Sequence, residues 1–404
     1  MLIALSLPLV TADSAAPSTQ WQHSFEGSKG CSVLEVENGG YAVTGVNGSA
    51  SLLIKTDSSG NLLWTKAYQI GETETFLPYI VQTEDGGYAV AGTWENNFAL
   101  VRVDFEGNVM WEKTYERSSV FSYLRSLIRT SDGGYAMVGT YLNQPPSDGQ
   151  TWFVKLDNLG NIQWNKTIGS VGDFVNSVLQ TGDGGYAIIG TCWASETLPA
   201  TPKIIKTDSD GNIQWSKTYG GVGKGIFYYT ESFSGIITDD GGYLIAGFAG
   251  ESSSSWKAWL FKTDSQGNII WNETYGDIGS LAHSIVKTQD GGYAFAGVVN
   301  KLDAWIVKTD ANGSMDWNLT FEGSSIETFC NLMVQASDGG YAVVGTKGGK
   351  IWFAKVADLS QPSLPITYLV IAILAIIIGI SVAGYILKKY ATKKRITDVS
   401  QYCF

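Results

Sequence analysis

The sequence is poor in the residues that most catalytic and metal chemistry uses. It holds two histidines (His23, His283) and four cysteines in 404 residues. It contains no Cys-x-x-Cys and no His-Glu-x-x-His, so neither a zinc nor a haem motif is present and no cofactor is expected. Neither histidine has a serine–acid or cysteine arrangement beside it, and both are read as structural. Charge is also sparse, at 16% of residues, and the net charge is −11. Residues 388–404 carry five basic side chains against Asp398, which leaves the rest of the chain near −15. A body that acidic repels phosphate backbones, so nucleic acid is excluded as a partner.

Glycine and tryptophan are abundant instead, 48 and 14 residues. Together they point to many tight turns and many aromatic core positions, as in an all-β fold. The phrase Gly-Gly-Tyr recurs with its tyrosine at 41, 88, 135, 186, 243, 293 and 341, at intervals of 47, 47, 51, 57, 50 and 48 residues. A second phrase, Lys-Thr-Asp-x-x-Gly-Asn-x-x-Trp, is clearest from Lys206 to Trp215 and recurs in six repeats. Aspartate bonds nearby backbone N–H groups and glycine supplies positive φ, so both phrases read as hairpin turns. The fourth repeat divides into strands A (176–181), B (186–190), C (203–207) and D (213–218). Four strands per repeat of about 50 residues is a propeller blade.

The fold expected is therefore an all-β, seven-bladed β-propeller over residues 21–358. The seventh repeat lacks strand D, while Trp21-Gln22-His23-Ser24-Phe25-Glu26-Gly27 copies the strand-D phrase that starts at Trp317. The N-terminal segment is expected to complete the last blade. Cys31 and Cys330 then fall in neighbouring blades and are expected to form a disulfide.

The two ends place the domain. Residues 366–387 are 22 consecutive residues without a charge, long enough to span roughly 33 Å as a helix. Five basic residues follow within 388–404, a cytoplasmic tail by the positive-inside rule. Residues 1–12 read as a signal peptide without a basic start, and 359–365 as a linker. The propeller is thus expected outside the cell on a single-pass anchor, with membrane lipid as a partner of the 366–387 segment. Sequons stand at Asn47, Asn165, Asn272, Asn312 and Asn318 and are expected glycosylation sites.

The A–B and C–D turns are short and nearly identical in every repeat, whereas the B–C and D–A loops vary. A scaffold repeats its structural turns and diversifies its contact loops. The variable face is therefore the expected working face, and the constant face should look toward the bilayer. Acids and aromatics cluster there: Glu72, Phe76, Tyr79, Glu116, Tyr123, Asp173, Phe174, Tyr228, Glu231, Asp277 and Glu327. Aromatic faces with carboxylates suit glycan stacking and hydroxyl recognition. Two such carboxylates would also serve a glycan hydrolase or lyase, but no spacing selects a pair. Three functions stay open: a recognition or adhesion module for glycan or an envelope protein, a surface glycan hydrolase or lyase, and a purely structural envelope component. The Lys/Arg column (Lys55, Arg102, Lys155, Lys206, Lys262, Lys308, Lys355) is read as inter-blade pairing or an exposed edge.

The C–D phrase resembles the repeat of quinoprotein-type (PQQ-like) propellers. It resembles more closely the Asp-Gly-Gly-Tyr propeller repeats of uncharacterised archaeal and bacterial secreted or surface proteins. The resemblance covers residues 21–358 and implies architecture alone. Its Asp-to-Trp spacing is one residue shorter than in quinoproteins, and seven units stand where quinone-dependent dehydrogenases have eight, so no cofactor pocket carries over.

Overall fold

The computed structural model describes residues 17–37, 39–70, 75–117, 121–142, 149–170, 172–192, 201–220, 229–250, 255–325 and 332–358. The segments expected to be signal peptide, linker, anchor and tail lie outside these. Pro17–Asp358 forms one compact unit of seven antiparallel sheets. In the fourth blade, strands A to D are Asp173–Gln180, Tyr186–Cys192, Thr201–Thr207 and Ile213–Thr218, close to the expected bounds. Strand A of the seventh blade is in two pieces, Ser324–Ser325 and Met333–Gln335.

The ring closes as the sequence implies. Ser18–Phe25 pairs with Lys350–Ala357 as the outer strand of blade seven. In the other six blades the C–D ladder slips by one residue beside the column lysine or arginine, as in Lys155↔Trp164 followed by Leu156↔Ile162. The N-terminal strand makes the same slip between Thr19 and Trp21. It is a D strand in register as well as in composition. A single core cluster then runs across blades six, seven and one, from Ile306 and Trp317 through Trp352 and Phe353 to Val43 and Ile54.

Strands B and C are buried along nearly their whole length because each blade is sandwiched between two others. D strands alternate exposed and half-buried residues, as an outer edge should. The seams between blades repeat one device. At the seam of blades two and three, Gly160 adopts φ +74°, and a Cβ there would stand 2.7 Å from Trp111 of the preceding blade. Tyr115 donates its hydroxyl to Gly160 O at 2.9 Å, and Lys113 Nζ donates to Leu159 O and Asn161 Oδ1, both at 2.8 Å. The turn itself is caged by Asp157, whose Oδ1 accepts the N–H of Leu159 and of Asn161. Tyr68, Tyr219 and Tyr275 repeat the hydroxyl bond to Gly107, Gly267 and Gly313. At the closing seam Trp21 lies against Gly60, and His23 Nε2 reaches Ser59 O at 3.0 Å in the lysine's place.

The Lys/Arg column corrects the expectation. These side chains are not on an exposed edge and their ion pairs lie within one blade, while Arg102 and Lys262 also hydrogen-bond Tyr135 and Tyr293 of the next blade. Lys155, Lys206, Lys308 and Lys355 are buried, and each binds the aspartate of its own blade's A–B turn: Asp132 (2.8 Å), Asp183 (2.8 Å), Asp290 (2.6 Å) and Asp338 (2.5 Å). Lys262–Asp240 and Arg102–Asp85 complete the set. The aspartate also accepts from the turn, as Asp132 does from Thr130 Oγ1 and Gly134 N. Gly134 is needed because a Cβ would meet Leu156 O at 2.2 Å. Blade one has Asn38 where the others have aspartate. Among the described residues Lys55 Nζ reaches Gly39 O and Thr56 O, and burial lowers its pKa. Each pair also faces the next blade's Gly-Gly-Tyr tyrosine. Burial first, then Asp132 and Asp183, push Tyr186 and Tyr243 up to about 12. Tyr88, which follows blade one, is raised by burial alone.

Hydrogen bonds from Lys206 and Lys262, then from Thr181 and Thr238, pull Asp183 and Asp240 down to about 2. A carboxylate whose folded pKa lies below the unfolded value, about 3.9, adds stability that is present above pH ~4 and lost as pH falls toward 2. Thermal unfolding should therefore hold steady from pH 8 to 5 and fall between pH 4 and 2. Asp183→Asn should cost about 1–2 kcal/mol at pH 7, since Lys206 stays buried while Asp183 is half exposed. It should also shallow the acid limb, and adding Lys206→Met should recover much of the loss.

Candidate functional site

Strand pairing brings part of the expected set to one level of the variable face. Phe76 faces Thr93, Tyr123 faces Thr140, and Phe174 faces Thr191. These are the same rung in blades two, three and four. The rung continues through Glu231 opposite Phe248, Leu281 opposite Val298, Ser325 opposite Thr346 and Lys29 opposite Val46. Aromatic residues thus occupy three adjacent blades at the start of the inner strand. Phe76 is 40% exposed and Tyr123 41% exposed, while Phe174 is half-buried with Gly149 against its ring. Phe121 extends the arc, its ring parallel to Tyr123 within 3° at 6.3 Å.

Other expected residues do not join the arc. Tyr79 is buried among core residues of blades two and three, because strand A of blade two shifts register between Phe76 and Tyr79. Glu116 is exposed in the loop after blade two. Asp277 is exposed and closes a turn through its carbonyl, which accepts from Ser280 N and Oγ. Glu72, Tyr228 and Glu327 lie outside the described residues, and so does the side chain of Glu231.

Asp173 has an ion-pair partner that the motif search missed. It is 3% exposed, and its Oδ2 accepts from Lys203 Nζ and Ser170 N, each at 2.6 Å. Lys203 stands where blades three, five, six and seven have Trp152, Trp259, Trp305 and Trp352. That break in the tryptophan column was the available signal. The pair borders a cavity of about 10 Å³, room for one water, beneath Phe174 and Thr151. Burial first, then a hydrogen bond to Asp173, raises the Cys192 thiol pKa and keeps it protonated. Arg117, also missed, lays its guanidinium 3.9 Å from the centre of the Tyr141 ring and donates to Thr167 Oγ1 at 2.7 Å.

Both histidines are engaged structurally. His283 is 2% exposed, packs against Phe233, and burial lowers its pKa to about 3, so it is neutral. Cys31 is buried, and Cys330, its expected disulfide partner, lies outside the described residues. Among the described residues no group of three or more His, Cys, Asp or Glu is placed to hold a metal ion.

Three sequon asparagines have a structural task. Asn165, Asn272 and Asn318 each accept the indole N–H of their blade's strand-C tryptophan, Trp152 (3.4 Å), Trp259 (3.4 Å) and Trp305 (3.2 Å). In blade seven Gln22 does the same for Trp352 at 3.0 Å. Blades with Leu52, Ala99 or Lys203 in strand C have Thr65, Glu112 or Ser216 instead of an amide. Asn47, Asn165, Asn312 and Asn318 are exposed and Asn272 is half-buried.

No family model matches the sequence, and no curated protein does. Solved structures do match. A streptogramin B lyase is 11% identical, with TM-score 0.55, over 83% of this chain and 97% of that one. A catalytically inactive His-to-Ala variant of virginiamycin B lyase from Staphylococcus aureus, with quinupristin, is 10% identical, with TM-score 0.56, over 83% and 99%. Drosophila plexin A in complex with semaphorin 1b is 7% identical, with TM-score 0.53, over 85% and 88%. The likeness is one of fold. It supports the seven-bladed propeller and carries no chemistry.

The amide–indole pairing predicts how Asn318 responds to substitution. Asn318→Gln removes the sequon but keeps an amide, as Gln22 does, and should leave stability within about 0.5 kcal/mol. Asn318→Leu leaves the buried Trp305 N–H unpaired and should cost about 1–2 kcal/mol in urea unfolding.

Proposed function

We propose that this chain is a surface recognition or adhesion module. A signal peptide (1–12) directs it outward, and residues 366–387 anchor it with the basic tail in the cytoplasm. The Asp-Gly-Gly-Tyr propeller binds glycan or an envelope protein through its B–C/D–A face. The observation that carries this reading is the aromatic arc of Phe76, Tyr123 and Phe174 on one rung of three adjacent blades. Exposed rings side by side give flat apolar faces on which sugar rings stack, and polar groups nearby fix orientation. The constant turns are engaged in seam contacts, so the variable face is the one proposed to meet the glycan or protein partner. Asn165, Asn272 and Asn318 on the outer strands are the proposed glycan carriers, and a Cys31–Cys330 bond the proposed seam staple.

A hydrolase or lyase reading gains no support. Asp173 is committed to Lys203, and His283 is buried and neutral. The structurally similar lyase is inactive when a histidine is replaced; this chain has no histidine free for such a role among the described residues. Plexin A, similar in fold, is solved in complex with semaphorin 1b, and an envelope protein is the second reading.

A glycan array probed with the full chain in detergent tests the proposal. Saturable binding is expected, weakened about tenfold or more by Phe76→Ala/Tyr123→Ala, equivalent to roughly 1.4 kcal/mol. Binding to no glycan removes the carbohydrate reading, and binding indifferent to the double variant moves the site off the arc.

A further inference from the structure

Exposed apolar side chains gather on one part of the outer rim. Leu62 and Leu63 of blade one, Phe105 and Met110 of blade two, and Leu159 and Ile162 of blade three are each about half exposed or more. All six lie in C–D turns or at the start of strand D, so they share the edge of the constant-turn face. Single exposed apolar residues are ordinary, as Ile213, Ile270 and Met315 are at this level in blades four to six, but two or more in each of three adjacent blades mark a contact surface.

The path of the chain indicates what covers it. Lys350–Ala357, strand C of blade seven, ends on this same face, and blade seven adjoins blade one through Ser337 N and Oγ on the Glu35 carboxylate, both at 2.8 Å. Only seven residues, 359–365, separate the propeller from the 22 uncharged residues 366–387. Seven residues reach at most about 25 Å. The apolar rim therefore begins one blade from the tether, on the tethered face.

We propose that this rim rests on the lipid surface, with blades one to three leaning edge-on into the headgroup region. This inference rests on the anchor reading given above. Burial of half-exposed aliphatic and aromatic side chains in the interface favours contact. The neighbouring turns set the lipid class. Acids and lysines share these turns, Asp57, Asp104 and Glu106 beside Lys66 and Lys113, so the rim carries little net charge and suits zwitterionic headgroups.

The test uses the full chain in zwitterionic vesicles carrying a nitroxide lipid labelled near the headgroup. All 14 tryptophans lie between residues 21 and 352, so their fluorescence reports the propeller alone. Trp64 and Trp111 adjoin Leu63 and Met110. Quenching is expected, falling by half or more in Leu63→Ser/Phe105→Ser/Met110→Ser. The triple variant should still float with vesicles and keep its near-UV circular dichroism. A wild-type chain that floats but is quenched no more than the variant overturns this inference and leaves the anchor standing. A chain that does not float overturns the anchor and this inference with it. Cross-linked dimers lost in the triple variant, without lipid quenching, overturn it in favour of a second copy on the rim.

Discussion

The molecule depends on the way a strand-D tryptophan lies under the turn glycine of the following blade at every seam but that of blades six and seven, where blade seven has no C–D turn. The glycine must have positive φ and no side chain, so the indole fits against it directly. Tyrosine and lysine from the same strand then bind the same turn. One contact therefore fixes the distance and the angle between neighbouring sheets. Repeated around the ring, a constant angle closes at seven blades. The same contact explains why Asp-x-x-Gly-Asn varies so little along the chain, since any change would loosen two blades at once.

A second layer of contacts lies nearer the axis and differs from seam to seam. Arg129 pairs with Glu84, Gln180 accepts from Ser131 N, Lys287 pairs with Asp239, and Gln335 accepts from Gln289 N. The tryptophan–glycine contact alone is satisfied by any blade beside any other. These differing pairs favour the native order, because a wrong neighbour meets an unmatched charge or amide. Uniform contacts supply the geometry, and varied ones supply the order.

Much of this was legible in the sequence because propeller blades repeat. The seven Gly-Gly-Tyr phrases located the B strands, and the copy of strand D at residues 21–27 located the closure. Repetition did not show which column faces which. The column lysines and the A–B aspartates are separated by 17 to 23 residues and meet only after the hairpin between them has formed. Their pairing within one blade was therefore read as pairing between blades. The structural task of the sequon asparagines was hidden in a related way: Asn-x-Thr is a local pattern, whereas the indole that Asn165 caps comes from another strand. Tyr79 looked like a mouth residue by position, but the register shift in its strand turns it into the core. Lys203 escaped notice because its importance lies in the tryptophan it replaces.

Closure by the first strand also sets a timetable for the growing chain. Gln22 and Trp352 bond across 330 residues, so the opening strand has no partner until nearly the whole propeller has been made. Until then Ser18–Phe25 offers a bare edge, and so does the far side of blade one. Such long-range pairing is slow and leaves strand edges open to wrong partners in the meantime. A chain cut short anywhere before Lys350 has no place for its first strand, and that unsatisfied edge distinguishes an unfinished molecule from a complete one.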